Sequence, residues 1–294
     1  MEVLIQVIIS GILSGGVYSL ASVGLALIFG VVGLVNFAHG EYLMLSMYIA
    51  WIFFNFCGLD PYQSMPLNLV LMALAGFLTF KIIMVRVLNA DHSIQMLITL
   101  ALSMTLQNLA LMIGGADYRT IRLDITNHVI NAGFLVLSTP RIIAFAVAIT
   151  ASLLLYIFLE KTYEGTAIRA VSQNSKAALL MGVNLKRIYC RAFVTGITLV
   201  GLAGLLLSPI YPVYPLIGAG FSTLAFIIVV LGGLTSVPGA IIGGLIIGVV
   251  ESLAGYYAGP AYQQAAYFLL FILVLVFRSE GLMGGHKYLM DKQC

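Results

Sequence analysis

Charge is scarce in this chain. Only 9% of its 294 residues are Asp, Glu, Lys or Arg, and 61% are hydrophobic, against about 25% charged in soluble domains. That balance excludes a water-soluble enzyme fold for nearly all of its length. Cysteine is scarce too. Cys57, Cys190 and Cys294 stand far apart, with no metal-ligand spacing, and read as three ordinary thiols. No Gly-x-x-x-x-Gly-Lys-Ser/Thr loop is present, so the chain does not bind ATP in that manner. No Ser-His-Asp or metal-ligating constellation shares a plausible site. The reading is therefore a non-enzyme with no catalytic residue, cofactor or metal ion. No basic patch interleaved with aromatics suggests nucleic acid. The opening stretch MEVLIQVIISGILSGGVYSL has no Lys or Arg before its apolar run. It lacks the basic start of a cleaved signal peptide and is expected to be a retained membrane segment. No run of Ser, Pro or charge separates a second domain, so residues 1–294 read as one membrane domain.

Long apolar stretches fill the space that charge leaves. They fall at about 4–34, 42–57, 65–80, 94–114, 140–159, 192–210, 221–234, 239–258 and 264–278. Several approach the roughly 20 residues that cross a bilayer as a helix. The fold class is all-α: a polytopic transmembrane bundle of about eight to ten membrane segments, with discontinuous helices. The first stretch is long enough for one tilted helix plus a re-entrant piece, or for two short helices. The 115–139 loop alternates polar and apolar residues and allows a small strand-like hairpin.

The longest polar interruption is 160–191, EKTYEGTAIRAVSQNSKAALLMGVNLKRIYCR. It carries six basic residues (Lys161, Arg169, Lys176, Lys186, Arg187, Arg191) and two acidic ones (Glu160, Glu164). Each charge costs roughly 2.5–3.5 kcal/mol at a bilayer centre, so eight would cost about 20 kcal/mol. The segment must lie in water. Its basic excess places it in the cytoplasm, with 81–93 and the C-terminal tail on the same side and 115–139 outside. Eleven Lys or Arg then lie inside and three outside (Arg119, Arg122, Arg141). Within the loop, Asn174 or Ser175 is positioned to cap a short helix over 176–181, and Gly182 to stop it. Asn184 is positioned to cap the next helix. Ala177, Ala178 and Met181 are expected on the exposed side of the short helix. Docking in a partner's groove and resting on anionic lipid headgroups both fit this design.

Two glycine-bearing breaks interrupt apolar runs: GVVGLVNFAHGEYLML at 30–45 and VLGGLTSVPGAIIGGL at 230–245. Aligned at Gly33 and Gly233, they share Gly-Leu with a polar residue two positions on, Asn36 or Ser236. Paired breaks of this kind point to a substrate path in transporters. Gly232 and Gly233 are placed to end a helix, with Ser236 as N-cap and Pro238 in the next first turn. Asn36 is placed to cap the restart of the first break, with Glu41 at its positive end. His39, Glu41 and Glu251 are ionisable residues within or at the edge of membrane segments, where such groups face a cavity or a partner. Helix-end charge compensation for Glu41, and packing for His39, weigh equally with a path role. Gln107 and Asn108 suit interhelical hydrogen bonding. Gly201, Gly204, Gly244 and Gly248 suit close helix crossings.

Three stretches resemble the LivH-type permeases of the branched-chain amino-acid ABC transporter family: GLVNFAHGEYLMLSMYIA at 33–50, the central loop, and VVLGGLTSVPGAIIGGLIIGVVESL at 229–253. YPVYPLIGAG at 211–220 and FRSEGLMG at 277–284 also fit. The resemblance implies a permease subunit that imports branched-chain or related amino acids by alternating access. It implies a second, LivM-like permease subunit, two cytoplasmic ATPase subunits, a periplasmic substrate-binding protein and membrane lipid as partners. It also implies a multi-pass place in the bacterial inner membrane with a cytoplasmic C-terminus. Glu164, Gly165, Arg169, Asn174, Ala177, Ala178 and Gly182 become candidates for coupling to the ATPases. Asn36, His39, Glu41, Ser236 and Glu251 become candidates for the path or its gate. Permeases for urea or amides, an ion-coupled secondary carrier and a structural scaffold remain the alternatives.

Overall fold

The computed structural model describes residues 2–121, 129–132, 135–278 and 281–283. The chain begins with α1 (Glu2–Val32), α2 (His39–Cys57) and α3 (Pro61–Thr79). A π-helical turn (Phe80–Met84) joins α3 to the short α4 (Val85–Val87). After α5 (His92–Gly114) comes a hairpin of β1 (Val129–Ala132) and β2 (Leu135–Ser138), antiparallel, with Val129 opposite Ser138. Then follow α6 (Thr139–Lys161), α7 (Tyr163–Gln173), α8 (Ser175–Leu180), α9 (Leu185–Leu207), α10 (Ile217–Gly232), α11 (Val237–Tyr257) and α12 (Gln263–Phe277). Seven helical segments are long and apolar enough to cross a membrane. The 19-residue α2 and the 16-residue α10 border the chain breaks and complete the bundle. The chain is a multi-pass helical membrane protein.

The first apolar stretch forms one unbroken 31-residue helix, not a helix with a re-entrant piece or two short helices. An interruption there would leave backbone groups unsatisfied within the bundle, and its glycines serve packing instead. In α1, Gly11 and Gly15 meet Gly248 and Gly244 of α11, and Gly24 meets Gly196 of α9. A Cβ on any of these would come within 2.7 Å of the facing backbone. The contact pairs run in opposite order along α1 and α11, so the two helices are antiparallel. Gly201 packs on Met72 and Gly204 on the Leu43 backbone, so these expected crossing points are all used. Lipid tails supply no hydrophobic drive between helices, so such close packing holds the bundle together.

The bundle has two faces. On one, Gln6 of α1 donates to the Val136 carbonyl of the hairpin, and residues 115–121 pair with 208–216 through Arg119 and Val213. Arg119 stacks over Trp51 at 4.0 Å, and Tyr118 packs at a tilt against Tyr214, centroids 4.8 Å apart. On the opposite face, Leu27 and Val31 of α1 share an apolar cluster with Ile168, Val171 and Ala178 of the polar loop and with Val229 and Val237 beside the second break. The start of α1 therefore lies on the hairpin face. The end of α12 lies on the loop face, where Leu282 and Met283 donate to the Leu231 and Gly232 carbonyls and cap α10. The tail 284–294 lies outside the described residues.

The similarity of the two breaks extends to the helices around them. Shifted by 200 positions, the end of α10 matches the end of α1, α11 matches α2, and α12 matches α3. Gly33 and Gly233 have φ of 72° and 107°, and Gly58 and Gly259 have φ of 66° and 104°. Each set opens with a helix running from the hairpin face to the loop face, which is the pattern of a parallel repeat.

In a chain whose own cysteines are replaced, single cysteines at Glu2 and Asp117 react with a membrane-impermeant thiol reagent from the same side of the membrane, and one at position 190 reacts only from the other side. Labelling from each side in turn measures this. A Cβ at Gly40 of α2 would sit 2.0 Å from the Gly218 carbonyl of α10, whereas Gly220 faces open space. Gly40→Ala therefore costs about 1–3 kcal/mol by overpacking, and Gly220→Ala is neutral, in thermal unfolding of the purified protein.

Candidate translocation path and coupling surface

Six residues separate α1 from α2, and the turn they make is held from several helices. Gly33 ends α1 in the left-handed region, and Thr99 of α5 donates to the Val35 carbonyl at 3.2 Å. Asn36 does not cap α2. Its Oδ1 accepts from Ala38 N–H, which makes a local turn, and Ala38 is the cap position. The cap of α2 comes instead from α10: Ser222 Oγ accepts the Gly40 N–H at 2.7 Å and donates to the Phe37 carbonyl at 3.3 Å. This borrowed cap satisfies one of the N–H groups that a helix start leaves unpaired.

The polar side chains of this turn are fully buried. Asn36, His39 and Glu41 each have 0% exposure. His39 Nε2 bonds to the Ala21 carbonyl of α1 at 2.9 Å. Glu41 Oε1 accepts from Gln107 at 2.7 Å and from Ser103 at 3.3 Å, both on α5. Its Oε2 lies against Gly218, where an added Cβ would stand 2.5 Å away. Glu41 also sits in the first turn of α2, where the helix end is positive. Even so, Asn36 Nδ2, His39 Nδ1 and Glu41 Oε2 have no hydrogen-bond partner among the described residues. Each such orphan costs about 1–3 kcal/mol. Three within six residues mark this turn as a place kept for something other than stability.

Beside the turn, on the loop side, is an apolar cavity of about 330 Å³ lined by Leu25, Phe29, Val35, Phe37, His92, Phe226, Val229, Val230 and Leu234. Phe37 and Phe226 are in ring contact in its lining, with centroids 5.4 Å apart. Both chain breaks thus reach the same cavity, the first through Val35 and Phe37 and the second through Leu234.

The remaining path candidates are placed differently. Ser236 caps α11 by accepting the Gly239 N–H at 3.1 Å, with Pro238 in the first turn, and it lies beside the second break. Glu251 is fourteen residues into α11, roughly 21 Å along the helix. It faces the Tyr18 hydroxyl and the Arg141 charge, and Tyr18 bonds Tyr211 at 3.0 Å. The structure therefore brings Asn36, His39 and Glu41 together on one turn, but sets Glu251 in a separate polar group nearer the hairpin face. Gln107 makes an interhelical bond. Asn108 instead donates to the Met104 carbonyl of its own helix. Sequence reasoning missed Ser46, Asn68, Ser103 and Ser222. Ser46 donates to Asn68 at 2.9 Å and to the Gly201 carbonyl at 2.5 Å, tying α2, α3 and α9. Isolated serines in apolar runs gave no signal of these partners.

The polar loop forms as its caps dictate. Thr162 accepts from Gly165 N–H, Asn174 from Ala177 N–H and Asn184 from Arg187 N–H, starting α7, α8 and α9. Gly182 follows α8 with φ 85°. Two exposed ion pairs brace the loop, Arg169 with Glu160 and Arg191 with Glu164. Gly165 packs on the Leu159 backbone, where a Cβ would stand 2.5 Å from its carbonyl oxygen, so it shapes the turn out of α6. Ala178 is not exposed. It is 5% accessible and packs in the apolar cluster under α8, because the short helix turns that side to α1 and α9. The exposed apolar surface is instead Leu179, Leu180 and Met181, with Ala177 and Lys176 beside them. Leu180 is 87% and Met181 85% exposed.

The sequence has relatives. The family described as branched-chain amino acid transport system / permease component matches residues 7–277. The high-affinity branched-chain amino acid transport system permease protein BraD of Pseudomonas aeruginosa is 29% identical over 95% of each chain. The corresponding LivH proteins of Salmonella typhimurium and Escherichia coli K12 are 30% and 31% identical, again over 95% of each chain. No solved structure is significantly similar. A match that spans nearly the whole chain, breaks and polar loop included, means that this protein belongs to the family of branched-chain amino acid transport system permease components.

Proposed function

We propose that this chain is the permease subunit of an ATP-driven importer of branched-chain or related amino acids. The relatives carry that substrate class in their names, and a path bordered by Phe29, Phe37, Val35 and Val229 suits aliphatic side chains. The observation that carries the ATP-driven part is the apolar tip Leu179, Leu180 and Met181, held out from a braced, capped loop. A small helix presenting such residues fits a groove on a partner. The partner in this reading is a cytoplasmic ATPase, two copies of which serve this chain and a second permease, while a periplasmic binding protein delivers the substrate. The permease lies in the inner membrane, with the loop face and the C-terminus cytoplasmic.

Closure of the ATPases moves α8, and α8 sits on the cluster that also holds Val31 at the end of α1, which leads into the first break, and Val237 beside the second. The loop and the path are therefore mechanically joined. Asn36, His39 and Glu41 supply polar groups at the path's narrow part, and α2 against α10 forms its gate. Asn174, Gly182 and Ala177 set the shape of the coupling tip. Glu164 and Arg169 stiffen its base.

Leu180→Glu should lower uptake at least tenfold and uncouple ATP hydrolysis from it, with the permease still folded in the membrane. A tenfold loss corresponds to about 1.4 kcal/mol of coupling energy. Ala178→Arg should fail earlier, by misfolding of the loop. Deleting the ATPase while a proton gradient persists should abolish uptake. Continued uptake would identify a secondary carrier instead.

A further inference from the structure

A second cavity lies outside the path and is not used by it. It has a volume of about 430 Å³ and opens between the inner end of α3 and the first turns of α9, lined by Phe77, Arg187, Cys190, Arg191, Val194 and Thr195. Lys81, in the π-helical turn that follows α3, holds its Nζ over the Phe77 ring at 5.7 Å. Two cations thus line the opening, Arg187 and Arg191, and Lys81 stands beside it against Phe77. Arg191 is paired with Glu164. Lys81 and Arg187 are exposed, and neither forms an ion pair among the described residues.

The opening has a second character. From Phe77, the outward side of α3 and of the π-helical turn after it carries exposed Leu74, Leu78 and Ile82, and Val194 forms the facing wall. The cations sit on the loop face, at the level where the chain leaves its apolar spans, and the apolar wall runs from them into the bundle's lipid-facing surface. A soluble anion would use the charges but not the wall, and an apolar tail alone would leave the charges unused. A molecule with an anionic head and acyl chains matches both. Basic pockets between membrane helices on the cytoplasmic side are suited to such head groups. The long stems of Lys81 and Arg187 can lie along the apolar surface while their charges reach the head group.

We propose that this groove is a binding site for an anionic phospholipid of the leaflet on the loop face. Its phosphate lies between Lys81 and Arg187, and an acyl chain lies against Phe77 and Val194. Arg191, tied to Glu164, links the site to the base of the coupling loop, so the bound lipid also buttresses the turn from α7 into α9.

The test uses the assembled transporter in neutral detergent. Binding of phosphatidylglycerol, phosphatidylcholine and inorganic phosphate is followed by native mass spectrometry and by lipid-dependent thermal shift. The wild type should retain phosphatidylglycerol in preference to phosphatidylcholine, and millimolar inorganic phosphate should not displace it. The double variant Lys81→Ala/Arg187→Ala should weaken phosphatidylglycerol binding on the order of tenfold. Its melting temperature without lipid should be unchanged, because both side chains are exposed. Lys161→Ala, a basic residue elsewhere on the same face, should bind as the wild type does. Val194→Trp fills the wall without changing charge and should also lose the lipid. Equal binding of the two lipids, or a double variant or Val194→Trp that binds like wild type, would overturn the site. Displacement by inorganic phosphate would make it a soluble-anion site and overturn the lipid assignment.

Discussion

Everything in this bundle depends on backbone meeting backbone. Inside a bilayer, helices gain nothing by burying apolar side chains against each other, because lipid already solvates them. What remains is dispersion over close contacts and a few buried hydrogen bonds. The chain meets this constraint with glycine at its crossings: Gly11 and Gly15 against α11, Gly24 against Gly196, and Gly40 against Gly218. The long α1 is the hub and touches α6, α9, α10 and α11. Helix α2 reaches the same core through His39 and the Ala21 carbonyl. By contrast, α5 and α12 lie at the rim and bury little.

That tight core makes the polar turn at 36–41 intelligible. Nothing in the packing requires a histidine and a glutamate at full burial. They sit where α2 starts against α10, and the start of α2 is capped by a serine from α10. A sliding movement between these two helices would break the Ser222 cap and expose Glu41 Oε2 together. Packed interfaces of this kind switch between discrete arrangements rather than deform smoothly. The same region is joined through Val31, Val229 and Val237 to Ala178 beneath the coupling tip. The apolar cluster under the polar loop thus reaches the end of α1, and the turn that carries the buried carboxylate follows it in the chain.

Much of this was legible in the chain. The caps at Asn174, Asn184 and Ser236, the stop at Gly182 and the break after Gly232 all formed as local chemistry dictates, because capping depends on neighbours two or three residues away. The membrane segments were legible for the same kind of reason, since hydropathy is additive along a window. What escaped was set by distant residues. Asn36 has a capping side chain, yet Ser222, more than 180 positions on, supplies the cap. Ala178 reads as a small exposed residue until α1 and α9 are placed beneath it. Glu251 reads like Glu41 in hydropathy terms, but its helix carries it to another polar group near Tyr18. The repeat was visible only as two short breaks, because the flanking helices share geometry rather than sequence.

The most direct measurement is site-specific cross-linking from the tip of α8. A photoreactive residue at position 180, in the assembled transporter in its membrane, should join covalently to the ATPase subunit. The yield should change when ATP is trapped, as the proposed coupling requires. A product formed only with lipid, or a cross-link to the ATPase that is indifferent to nucleotide, would contradict the coupling of this loop to ATP-driven transport.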